Sequence, residues 1–117
     1  ISVVSDQMGS PTYAADLAEA ILTIINNKDY QGKEKPTEIY HYSNEGEISW
    51  YDFAKEVFKI TKVDCQVKSI NTEQYPMPAK RPKNTAINKS KMVKKFRAVI
   101  SGWKESLQIC IKNIEDK

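Results

Sequence analysis

Two hydrophobic periods alternate along this chain. Ile1-Ser2-Val3-Val4-Ser5 is short and β-branched and reads as a strand, and Asp6-Gln7-Met8-Gly9-Ser10 follows as a turn-like cluster. Ser10-Pro11 then announces a helix, with a hydroxyl at the N-cap and proline at the first helical position. Ala14, Leu17, Ala18, Ile21 and Ile25 recur at steps of three and four, which predicts one apolar stripe ending near Asn26-Asn27. Residues 28–37 are polar, contain Gly32 and Pro36, and read as a loop.

Glu38 to Ser43 predicts a second strand, favoured by Ile39, Tyr40 and Tyr42 and broken by Asn44-Glu45-Gly46. Ser49-Trp50-Tyr51-Asp52 has the form of a capping box, flanked by Ile48 and Phe53 at hydrophobic-staple positions, and opens a helix to about Ile60. Cys65 to Ile70 alternates weakly as a third strand. Residues 71–87 hold three of the five prolines within Tyr75 to Pro82 and predict an extended, stiff loop. Two helices close the chain. One covers about Lys89 to Phe96, with Met92, Val93 and Phe96 inward. The other begins at Ser101, with Trp103, Leu107, Cys110, Ile111 and Ile114 on one face.

The resulting order, about three short strands and four helices, predicts an α/β chain of α+β-like character. Three short strands are few for an independent sheet, so some are expected to pair with strands outside residues 1–117. An opening strand without methionine points to a piece of something longer.

Composition narrows the function classes. With 40% hydrophobic and 28% charged residues among 117, the chain is that of an ordinary folded protein. The net charge of +3 comes mainly from Lys80 to Lys95, a small excess that reads as solvated surface rather than a nucleic-acid footprint. Cys65 and Cys110 are too few and too far apart for a disulfide framework, and one histidine, His41, excludes a zinc cluster. They read as reduced thiols. The opening residues do not resemble a signal peptide, and no apolar run approaches a membrane span, so a cytoplasmic protein with no membrane partner is expected.

Complete catalytic kits are missing from the pattern. Neither G-x-G-x-x-G nor a P-loop occurs. One histidine cannot make a Ser-His-Asp or Cys-His arrangement, and mid-strand His41 reads as packed or surface. Both tryptophans read as core fillers beside helix caps. Two segments offer more. Asp6 to Thr12 joins a strand end to a helix start, where amides and the helix dipole suit an anion or polar ligand. Pro78 to Asn84 is a stiff loop that can hold Arg81, one of only two arginines, toward a phosphate. Each segment alone also fits a plain structural role.

Their combination resembles a family. Asp6-Gln7-Met8-Gly9-Ser10-Pro11-Thr12 is similar to the D-Q-x-G-x-P-T signature of dTDP-4-dehydrorhamnose reductases, members of the extended short-chain dehydrogenase/reductase group. Tyr40-His41 resembles the family's G-x-Y-H strand, with Glu38 at the usual glycine. Ser49-Trp50-Tyr51-Asp52-Phe53-Ala54 resembles its helix start, and Tyr75 to Thr85 its Y-P-x-x-A-x-R-P-x-N-S segment, with Thr for Ser. Ser90-Lys91 and Trp103 to Leu107 match its closing motifs, so the order runs over nearly all of the chain.

The resemblance implies the small C-terminal substrate domain of a Rossmann-type reductase, here residues 1–117, without the Rossmann domain and its Tyr-x-x-x-Lys pair. Tyr51-x-x-x-Lys55 has that spacing but sits beside the capping box and reads as coincidence. It further implies reduction of dTDP-4-dehydro-L-rhamnose to dTDP-L-rhamnose with NADPH or NADH, the cofactor being held by the absent domain. No catalytic or metal-binding residue is expected here. Gln7, Gly9, Pro11 and Thr12 are expected to shape one wall of the dTDP-sugar site, with Arg81 and Asn84 at the pyrophosphate or nucleoside end. The partners implied are the dTDP-sugar and the chain's own N-terminal domain, whose docking face would be apolar and open to self-association. The alternative is a non-catalytic regulatory or binding module of the same fold. A small nucleic-acid binder rests on the lysine excess alone.

Overall fold

The computed structural model describes residues 1–28, 36–75 and 77–116. Strand β1 (Ser2–Val4) pairs in parallel with β4 (Lys68–Ile70), Val3 opposite Ser69. Strand β2 (Met8–Gly9) pairs antiparallel with β3 (Ile48–Ser49). Helices α1 (Ala14–Ile25), α2 (Trp50–Thr61), α3 (Ser90–Phe96) and α4 (Trp103–Glu115) complete the architecture. It is mixed α/β with four helices and few strands, as the pattern predicted. No helix among the described residues is long and apolar enough to cross a membrane.

Helix α2 starts where Ser49 caps it. The Ser49 hydroxyl accepts the Asp52 N–H at 3.0 Å and donates to the Asp52 carboxylate at 2.7 Å. The carboxylate therefore binds the hydroxyl, in place of the Ser49 amide that a full capping box requires. Helix α1 departs further from expectation. It begins at Ala14, and Tyr13 stands at the N-cap without a side-chain capping bond. Ser10 does not cap it. The Tyr13 N–H at its entry goes instead to Asn44 Oδ1, 2.7 Å away.

The core is small. Ala20, Met92 and Phe96 are buried, with Ile24, Tyr40, Tyr42 and Ala98 packed against them, and the Tyr40 and Phe96 rings meet edge to face at 5.0 Å. The predicted apolar stripe, Ala14-Leu17-Ala18-Ile21-Ile25, lies outward, with Leu17 37%, Ile21 47% and Ile25 58% exposed. Helix α1 is apolar almost all round. It uses its other face, Ala20 and Ile24, against α3, and periodicity alone does not choose between two such faces.

Several smaller expectations also change. Residues 38–43 form no strand ladder among the described residues and serve the core through Tyr40 and Tyr42. Only Lys68–Ile70 of the third strand pairs. Val93 and Ile114 face solvent. The stretch after Ile70 is not wholly extended, since Thr72–Gln74 forms a 3₁₀ turn closed by the Gln74 side chain on the Asn71 amide at 2.9 Å. Most of the loop expected at 28–37 lies outside the described residues.

Asn44 ties these pieces together. It is fully buried, and its Nδ2 donates to the Asp16 carboxylate, to Ser106 Oγ at 2.9 Å and to the Ser101 carbonyl at 3.2 Å. One side chain thus pins the start of α1, the start of α4 and the bend before β3. Gly46 follows at φ 94°, a left-handed conformation suited to glycine, and a Cβ there would meet Trp103 Cδ1 at 2.8 Å.

The chain is spread out. Its radius of gyration is 17.4 Å, against about 13 Å for a compact domain of this length. It exposes 8812 Å², roughly a third more than the about 6,500 Å² usual for this mass.

Candidate functional site

The backbone of Met8 is the hub of the site. Its N–H donates to the Lys83 carbonyl at 2.8 Å, and its carbonyl accepts the Thr85 N–H at 2.9 Å. On its other side Met8 pairs with Ser49. The Asp6–Thr12 segment is thereby zipped to Lys83–Thr85, more than seventy residues later, through the Met8–Asn84 bridge. Gly9 is buried at this crossing, and a Cβ on it would meet Thr85 Oγ1 at 2.7 Å, so a small residue is needed there.

A first cavity opens beside the hub. It has about 320 Å³ and is lined by Gln7, Thr72, Tyr75 and the stiff loop from Met77 to Arg81. Gln7 and Arg81, both named from the sequence, thus stand in one place, with Lys80 beside them. Thr72 organises the wall. Its hydroxyl donates to Asp6 Oδ1 at 2.8 Å and accepts from Gln7 Nε2 at 3.1 Å, while its N–H donates to Asp6 Oδ1 at 2.9 Å. These bonds, the Thr72 hydroxyl foremost, hold the Asp6 carboxyl below its ordinary pKa, with Lys83 adding a smaller pull. The cavity therefore offers two cations, Lys80 and Arg81, and the Gln7 amide beside one carboxylate, Glu73, a net positive setting for an anionic group.

A second cavity, of about 150 Å³, adjoins the hub at Gly9 and Thr85. Gly9, Pro11 and Thr12 line it with Tyr42, Ser43, Ile48, Trp50 and Thr85. No charged side chain lines it. Trp50, expected in the core, is 48% exposed and serves as a wall. Burial raises the Tyr42 hydroxyl above its usual pKa, with Asp16 and Glu19 adding to the effect, so it remains a neutral donor.

The six expected residues thus divide. Gln7 and Arg81 share the first cavity; Gly9, Pro11 and Thr12 share the second. Asn84 lines neither. Its Nδ2 donates to Glu47 at 3.3 Å and its Oδ1 accepts the Ala86 N–H at 2.7 Å, so its side chain shapes the turn that follows the hub. At the helix entry the Tyr13 amide is taken by Asn44 Oδ1. Sequence reasoning missed Thr72, Ser43 and Tyr42, which carry no motif. Trp50 could have been found by its place one residue past the cap that abuts the Met8 strand.

Elsewhere, two lysines of the basic stretch are engaged within the chain. Lys89 meets Glu45 at 2.8 Å, and Lys91 meets Glu38 at 3.2 Å while lying 4.6 Å from the Tyr40 ring centre. Both cysteines are free and half-buried. Among the described residues no group of three or more His, Cys, Asp or Glu side chains is placed to hold a metal ion.

Comparison with known proteins gives one consistent result. The family model described as the RmlD substrate binding domain matches residues 1–115. The dTDP-4-dehydrorhamnose reductase of Sinorhizobium fredii is 36% identical over 110 residues, covering 91% of this chain and 37% of that protein. The crystal structure of the reductase from Clostridium acetobutylicum superposes with a TM-score of 0.85 at 37% identity, covering 98% of this chain and 39% of that one. The Bacillus anthracis reductase, solved in complex with NADP, gives 0.81 at 34% identity, covering 97% and 38%. The chain spans well under half the length of each of these relatives.

Proposed function

The chain belongs to the RmlD substrate binding domain family, and from that premise we propose that it forms the substrate-side wall of a dTDP-4-dehydrorhamnose reductase. The observation that carries the reading is the hub at Met8. It brings Gln7 and Arg81, from segments that resemble two separate family motifs, to a single cavity of about 320 Å³. Arg81 and Lys80 bind the pyrophosphate of the dTDP-sugar there, since a guanidinium suits paired phosphate oxygens. Gly9, Pro11 and Thr12 form the adjoining wall.

In this reading NADPH supplies the hydride that reduces the 4-keto carbon of dTDP-4-dehydro-L-rhamnose to the alcohol of dTDP-L-rhamnose. The residues present do not fit the cofactor. Glycines stand only at 9, 32, 46 and 102, which is no dinucleotide-binding turn. The cofactor and the acid that protonates the alkoxide therefore belong to other residues of the parent. The apolar face of α1, with the excess exposed area, supports a docking seam for that part. In this reading the parent works in the cytoplasm, where both cysteines stay reduced.

The test is an NADPH-oxidation assay with dTDP-4-dehydro-L-rhamnose. The full-length parent turns over and the isolated chain does not. A parent without this activity, or an isolated chain that has it, overturns the proposal.

A further inference from the structure

Asp6 is oddly placed for a site that takes an anion. It is a carboxylate next to Gln7 and bonded to Thr72, both of which line the cationic cavity, yet it does not line that cavity itself. By charge alone it would weaken an anionic ligand. Its Oδ1 accepts two bonds from one residue, the Thr72 N–H at 2.9 Å and the Thr72 hydroxyl at 2.8 Å.

Those two bonds tie down the start of the loop that carries Arg81. Thr72 opens the 3₁₀ turn Thr72–Gln74, and the Tyr75 N–H returns to the Thr72 carbonyl at 3.1 Å. The far end of the loop is tied at Lys83, whose carbonyl accepts the Met8 N–H at 2.8 Å. Asp6 and Met8 stand two residues apart in the sequence, so one short stretch of chain grips both ends. Between the grips, no hydrogen bond or ion pair among the described residues fixes Met77 to Pro82. Prolines stiffen the loop, and its ends place it.

The same bonds set the polarity of Gln7. A hydroxyl has one hydrogen, and an ionised carboxylate only accepts. The Thr72 hydrogen therefore goes to Asp6, which leaves Thr72 Oγ1 to accept from Gln7 Nε2 at 3.1 Å. We propose that Asp6 is a positioning residue of the nucleotide-sugar site, acting through Thr72 to preset the Gln7 amide and the Arg81 loop. A loop already held in place loses less freedom when a phosphate binds to it. That gain outweighs the repulsion between carboxylate and anion, which solvent screens when the two are not in contact. The proposal rests on the nucleotide-sugar reading above.

The experiment is calorimetric titration of the full-length parent with dTDP, in wild type, Asp6→Ala and Asp6→Asn, beside thermal melts. Charge alone makes both variants bind more tightly; positioning separates them. Asp6→Ala weakens dTDP by about threefold to tenfold, the range of one net hydrogen bond. Asp6→Asn keeps an oxygen that accepts both Thr72 bonds, so it stays within about twofold of wild type or binds more tightly. With Arg81→Ala already in place, Asp6→Ala adds no further loss, because the loop has lost the group it positions. Thr72→Val and Thr72→Ser repeat the test from the other partner, valine weakening dTDP and serine keeping wild-type affinity, and they decide it where Asp6→Ala does not fold. Unchanged or tighter binding in Asp6→Ala, an equal loss in Asp6→Asn, a full loss on top of Arg81→Ala, or a Thr72→Ser as weak as Thr72→Val each overturn the positioning role. A wild-type parent that does not bind dTDP overturns the nucleotide-sugar reading itself, and this role with it.

Discussion

Replacing Asn44 by alanine should cost this small fold a large share of its stability. The side chain accepts the Tyr13 N–H and donates to Asp16, Ser106 and the Ser101 carbonyl, all from a position with no solvent exposure. Alanine keeps the backbone but removes all four bonds. A neutral hydrogen bond contributes about 1 kcal/mol net, one to a carboxylate about 1.5–3, and each buried group left unpaired costs about 1–3. Asp16 and Ser106 can still bond each other, which softens the loss. The expected cost is about 3–5 kcal/mol, against a total stability of about 5–15 kcal/mol for a folded domain. At this chain length that lowers the melting temperature by roughly 15–30 °C. Urea unfolding followed by circular dichroism measures it, with the midpoint falling at unchanged m-value. Asn44→Asp should be worse still, since it loses both donor hydrogens and sets a second carboxylate against Asp16. Ser106→Ala combined with Asn44→Ala should cost less than the two single changes summed. A loss below about 1 kcal/mol for Asn44→Ala would refute the view that one buried amide organises this half of the molecule.

Two other outcomes follow from the same geometry. Ile21→Lys, on the outward face of α1, should change the isolated chain's stability by no more than about 0.5 kcal/mol, yet strongly destabilise the full-length parent; equal tolerance in both would remove the docking seam. Asp6 has a lowered pKa in the fold, so its contribution is fully present above the unfolded value of about 3.9 and is lost as pH falls through the lower folded value. Thr72→Val removes the principal cause, so melting temperature plotted against pH between about 5 and 2 should fall less steeply than in wild type, and identical slopes would contradict the assignment.

The helices were legible in the sequence because each carries its own local signal, such as the Ser49 cap or the Met92–Phe96 spacing. What the pattern could not give was the inner face of α1, since Leu17 and Ile21 are as apolar as Ala20 and Ile24 and only tertiary packing separates them. The strand expected at Glu38–Ser43 forms no ladder among the described residues, because β propensity supplies no partner. The site was half legible. Gln7 and Arg81 carried motifs, and their meeting through Met8 depends on a backbone bridge that no spacing reveals. Asn84 stood in a motif but turned out to shape a turn. Ser43, which lines the second cavity, was invisible because it carries no motif.

The most direct measurement is steady-state kinetics of the full-length parent, with NADPH and dTDP-4-dehydro-L-rhamnose, before and after Arg81→Ala. Losing a charge-assisted phosphate contact of about 1.5–3 kcal/mol raises KM by roughly ten- to a hundredfold and leaves kcat nearly unchanged, as expected for uniform binding far from the reacting carbon. An unchanged KM, or a loss confined to kcat, would contradict the placement of the nucleotide-sugar against this chain.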